Sequence, residues 1–155
     1  MTTEETIVHL NELIATCKDG ELGYRIAAEA VQNTELESVF AGYSKQRAEF
    51  VRHLQAEVER LGGSPADSGT VTGFLYRGWM DVKSAISGGD GAAIVASCET
   101  GEDAAAAAFE KVFDMDISGH PKVLVETQWN KIKEAHARML RLKAEMTGSD
   151  YPKND

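Results

Sequence analysis

The chain has 155 residues and a formal net charge of -9, which fits one domain able to bury roughly 70% of its unfolded surface. Its acidic balance repels phosphate backbones and anionic headgroups, so neither nucleic acid nor a membrane surface is expected as a partner. Two cysteines, Cys17 and Cys98, are too few for a disulfide framework or a Cys-rich metal cluster; with no apolar run of ~18 residues and no signal peptide, a soluble cytoplasmic protein is expected.

Ile7, Leu10, Leu13, Ile14, Cys17, Tyr24, Ala28 and Val31 follow three-four spacing and predict a first helix over about 4–32. Gly20 and Gly23 interrupt it, each costing about 1 kcal/mol against alanine, so both call for a packing reason. Asn33-Thr34 offers a cap, with Glu37 in capping-box spacing from Thr34. The second helix then carries Leu36, Phe40, Tyr43, Phe50, Leu54, Val58 and Leu61 into the stop signal Gly62-Gly63-Ser64-Pro65. A long connection over 62–90 holds a short amphipathic helix on Phe74, Leu75, Trp79, Val82 and Ile86. An alanine-rich third helix spans about 91–113, and a fourth about 120–146 with Ser118 as its cap. Residues 148–155 form a polar tail beyond a single domain over 1–147. Two short-linked helical hairpins joined by one long crossover make an all-α, ferritin-like four-helix bundle.

Helices one and three repeat at an offset of 81: Ala15-Thr16-Cys17-Lys18-Asp19-Gly20-Glu21 aligns with Ala96-Ser97-Cys98-Glu99-Thr100-Gly101-Glu102. The shared string is Cys-x-x-Gly-Glu, which points to a duplicated hairpin. Helices two and four match only weakly, through Gln46 with Gln128 and Phe50 with Ile132.

At 100° per residue, Glu21 falls inside the apolar stripe of helix one, and Glu102 inside that of helix three. Arg47 and Gln128 take the same kind of position on helices two and four. Buried charges need partners, which leaves two readings of this layer. In one, Arg47 pairs with Glu21 and Glu102 while Gln128 satisfies leftover groups, a structural network without cofactor. In the other, Glu21, Glu102 and Glu49 bind two iron or manganese ions. The di-metal pattern takes Glu-x-x-His from two helices, however, whereas Gln46-x-x-Glu49 and Gln128-x-x-Lys131 supply no histidine.

His53 lies between Glu49 and Glu57 on the flank of helix two and His136 beside the core face of helix four; these, His9 and His120 read as surface or boundary residues. Cys17 and Cys98 should be buried thiols too far apart to pair, a redox sensor being the sharper reading. Trp79, with Phe74 and Tyr76, makes the crossover the most aromatic stretch, suited to capping the bundle or to contacting an oligomer or partner protein.

Leu10-Asn11-Glu12-Leu13-Ile14, Cys17 to Glu21, Gly23-Tyr24, Gln46-Arg47-Ala48-Glu49-Phe50, Leu61-Gly62-Gly63, Gly78-Trp79 and Gly101-Glu102-Asp103 resemble an uncharacterised bacterial family, the ferritin-like bundles labelled domain of unknown function 2383. The resemblance covers roughly residues 5 to 145. It implies the same fold, carries no established activity, and has looser relatives among stress-associated ferritin-like proteins. The expectation is a non-enzymatic bundle with a structural core layer, working through oligomerisation or a partner surface; the alternative is a di-metal oxidase or storage protein.

Overall fold

The structure, a computed structural model, describes residues 1–69 and 91–147. Among them are four helices: α1 (Thr3–Ala30), α2 (Thr34–Arg60), α3 (Gly91–Phe113) and α4 (Gly119–Thr147). The short helix expected around Trp79 and the tail 148–155 lie outside the described residues.

The helix ends follow local chemistry, although not always at the expected residue. The capping box forms at α1, where Thr2 Oγ1 accepts from Glu5 N and the Glu5 side chain accepts from Thr2 N. At α2 the cap is Asn33, whose Oδ1 accepts from Glu35 N and Leu36 N, so the expected Thr34–Glu37 box is replaced by the residue before it. α2 ends where Gly62 takes φ +88°; Gly62 N donates to Glu59 O and Gly63 N to Val58 O, both at 2.9 Å, the paired bonds of a Schellman turn. Ser118 makes no capping bond among the described residues. α4 instead starts at Gly119, whose φ of +70° turns the chain.

α1 packs most extensively on α2, and α3 on α4, with α1 against α3 joining the hairpins. The core divides into two clusters stacked along the bundle. One joins Leu10, Ile14 and Cys17 to Phe50, Leu54, Phe109, Val125 and Ile132. The other joins Tyr24, Ala27 and Val31 to Leu36, Phe40, Val95, Cys98 and Met139. The first half of α1 therefore meets the second half of α3, so these helices are antiparallel. α2 likewise ends at the level where α3 ends, and α3 begins at the opposite end of the bundle.

Beyond α2 the chain turns back along α1. Gly63 passes so close to Ile7 that a Cβ would lie 2.8 Å from its side chain. Asn11 then holds Ser64 O at 3.1 Å and Ala66 N at 2.8 Å, and the Asp19 carboxylate fills the space a Cβ on Gly69 would need. From Ile7 to Asp19 this strand of chain climbs about 18 Å along the bundle, at 1.5 Å per helical residue. No described helix is long and apolar enough to cross a membrane.

Candidate functional site: a buried ion pair and a charged bundle end

Between the two apolar clusters lies Arg47, 1% exposed, facing Glu102, 0% exposed. Nη1 donates to Oε1 at 2.5 Å and Nη2 to Oε2 at 2.6 Å, a two-pronged match of planar groups. Nε reaches Gln46 Oε1 at 3.4 Å. The faces of the guanidinium are covered by aromatic rings, with Cζ 5.6 Å from the Tyr24 centroid and 5.8 Å from that of Phe50. Gly20 supplies the room: a Cβ there would sit 3.3 Å from Nη1 and 3.4 Å from Cγ of Arg47. That is the packing reason the sequence demanded of a mid-helix glycine.

Burial by itself would favour loss of the Arg47 proton, but the charge and hydrogen bonds of Glu102 more than offset it and raise its pKa. Burial pushes the Cys17 thiol up to about 12, despite the opposing pull of Arg47. Cys98 is raised well above the usual thiol range by burial and then by Glu102. Both cysteines are free, and they sit in different clusters. Such thiols are poor nucleophiles.

The remaining members of the layer take different places. Gln128 is buried, its Nε2 donating to Phe50 O at 3.3 Å, while its Oε1 has no partner among the described residues. Glu21 is half-buried. Its backbone carbonyl accepts from Ser44 Oγ at 2.8 Å, but its carboxylate has no ion pair or hydrogen bond among the described residues. Arg47 thus serves Glu102 alone.

The reason lies on α4. Gln128 faces Phe50, and Arg138 lies 5.9 Å from the Tyr43 ring, so Arg47 is level with the stretch between residues 128 and 138. Its buried residues, Ile132 and Ala135, are apolar. Among the described residues α4 brings no buried arginine to this level.

The structure does not gather the candidate metal ligands Glu21, Glu49 and Glu102 into one cluster. Both oxygens of Glu102 are held by Arg47, and Glu49 is 46% exposed on the outer flank of α2, 3.9 Å from Arg52. Among the described residues no three His, Cys, Asp or Glu side chains gather as a metal would require.

A second charged cluster lies at the bundle end where α2 stops and α4 starts. Glu57 is 3% exposed, accepts from Arg60 through Nε at 3.1 Å and also through Nη2, and meets Nδ1 of His120 at 2.6 Å. The hydrogen bonds from Arg60, followed by those from His120, hold the Glu57 carboxyl below its usual range against the effect of burial. His120 is exposed, as expected of a surface or boundary residue, and in addition it bonds a buried carboxylate. His53, expected between Glu49 and Glu57, is exposed, and Glu57 turns away from it to the bundle end. The legible signal was Glu57-x-x-Arg60, one turn apart at the edge of an apolar stripe. His136, also on α4, meets Glu99 of α3 at 3.0 Å.

Helices and ion pair together define a four-helix bundle whose central layer holds a buried arginine–glutamate pair. The chain belongs to a family described as Domain of unknown function (DUF2383), whose model matches residues 5–115. That match spans the first three helices and stops before α4. No curated protein matches the chain.

Proposed function

We propose that this is a non-enzymatic, ferritin-like bundle in which the protein's own guanidinium occupies the central position that di-metal bundles give to metal, and that it works through association with another protein or with further copies of itself. The observation carrying this reading is the two-pronged Arg47–Glu102 pair. An internal cation already neutralises the carboxylate that a metal would need, and the raised thiol pKa values of Cys17 and Cys98 leave little nucleophilic chemistry nearby. Two free, buried cysteines suit a reducing cytoplasm. The aromatic crossover around Trp79 is the segment proposed to make the contact, because aromatic residues are enriched at interfaces.

Anaerobic equilibrium dialysis against Fe(II) and Mn(II), followed by metal analysis and oxygen uptake, tests this reading. No stoichiometric metal and no uptake are expected. One or two tightly held ions per chain, lost in Glu102→Gln, would replace it with the di-metal reading.

A further inference from the structure

The charged bundle end has features that a simple tie between helices does not need. Beside the Glu57–Arg60–His120 cluster lies a cleft of about 280 Å³, whose lining includes Arg60, Ser118, His120, Thr3 and Asp116. That is just below the size range of small-molecule pockets, so it suits a small ligand or one end of a larger one.

The hydrogen bonding fixes what the cleft presents. Glu57 is kept ionised by Arg60 and His120, so its oxygens only accept. Nδ1 of His120, 2.6 Å away, must therefore carry the hydrogen. In the neutral ring the lone pair then belongs to Nε2, on a side chain that is 69% exposed. Arg60 spends Nε and Nη2 on Glu57, and its Nη1 makes no hydrogen bond among the described residues. Ser118 Oγ makes no hydrogen bond among the described residues. The cleft thus offers an acceptor nitrogen beside a cationic donor and a hydroxyl, held by a carboxylate buried beneath them.

A ligand matching this set must accept from Arg60 and, with the neutral imidazole, donate to Nε2. A phosphate group does both: with a second pKa near 6 it is part singly protonated near neutrality, so one P–O⁻ takes the Arg60 hydrogen while a P–OH donates to the ring. Sulfate has no proton to give, and a metal cation would meet Arg60.

We propose that His120, Arg60 and Ser118 form a binding site for a phosphate monoester, oriented by the buried Glu57. Ser118 and His120 lie beyond the residues the family model matches, whereas Glu57 and Arg60 lie within them. The site does not depend on how the central layer is read, because no member of that layer takes part.

The test is NMR observation of the His120 Cε1–H signal while the full chain is titrated with inorganic phosphate, then with glycerol phosphate, at constant ionic strength. A saturable shift is expected, weakened about tenfold or more in Arg60→Gln, since a hydrogen bond to a charged group is worth over 1.4 kcal/mol. Ser118→Ala should weaken it a few-fold, and sulfate should bind more weakly than phosphate. Arg60→Lys should recover part of the affinity, whereas a merely structural Arg60 would leave phosphate binding unchanged in both Arg60 variants. No saturable shift, an equal response to sulfate, or undiminished binding in folded Arg60→Gln overturns the proposal.

Discussion

The two copies of Cys-x-x-Gly-Glu have met different fates. Glu102 is sealed in the core against Arg47, whereas Glu21, at the matching place on α1, is half-buried and without an ion pair among the described residues. Their own helices do not explain this, because the motif is the same in both. The helix diagonally across the bundle decides it. α2 gives Glu102 an arginine, and Gly20 leaves room for that arginine's head; at the corresponding level the buried residues of α4, Ile132 and Ala135, are apolar. A duplicated carboxylate stays buried only where a cation is buried with it.

The largest effect should come from breaking the paired half. Glu102→Ala leaves the guanidinium in an apolar core without its anion and should cost about 3–5 kcal/mol in urea denaturation. Removing both charges at once, as Arg47→Met with Glu102→Leu, should be neutral or raise stability by about 1–4 kcal/mol. If Glu102→Ala stayed within about 1 kcal/mol of the parent, the guanidinium would be reaching water, and the contrast with Glu21 would lose its basis.

A mid-sized effect is expected at the bundle end. Glu57→Gln weakens the hydrogen bonds to Arg60 and His120 and should cost about 1–3 kcal/mol near neutral pH. The pH dependence has a definite sign. The Glu57 carboxyl is held below its unfolded value, so the folded state binds its proton less readily. Its contribution is therefore complete above the unfolded carboxyl pKa of about 4.3 and is lost as pH falls through the folded value. The gap between parent and Glu57→Gln in urea midpoint should close in that acid range. A gap unchanged down to pH values where the parent begins to unfold would remove Glu57 from the titration.

Smaller again, and diagnostic by sign, is Gly20→Ala. Alanine gains about 1 kcal/mol of helix propensity, but its Cβ would press on a guanidinium that Glu102 and two rings hold in place. A net loss of about 1 kcal/mol is expected in the parent. In the Arg47→Met, Glu102→Leu background, with the head group gone, the same substitution should gain about 1 kcal/mol. Gains in both backgrounds would show that the arginine yields easily.

Much of this was legible in the sequence because helical periodicity is a strong signal. The four helices, the Gly62-Gly63 stop and the inward placement of Arg47 and Glu102 all follow from which residues fall on an apolar stripe. The pairing of Arg47 with one glutamate rather than two was not legible, because it depends on the level at which α4 meets α2. The 114–118 loop is longer than the 31–33 loop, so the offset of 81 shared by α1 and α3 does not carry over to the helices that follow them. The bundle-end cluster was hidden for a related reason: Glu57 and His120 are 63 residues apart, and each alone resembles a solvated helix end.

The smallest effect should come from the unpaired half. Glu21→Gln keeps the shape and removes a charge that has no ion pair among the described residues, so the change should fall within about 0.5 kcal/mol, as for ordinary surface sites. That value is informative because Glu102, the same residue in the same motif, is expected to cost several times more. Thermal unfolding of Glu21→Gln beside Glu102→Gln reads the difference directly. A loss above about 2 kcal/mol at Glu21 would mean that its carboxylate has a partner of its own, and that the two halves differ in the identity of the cation rather than in its presence.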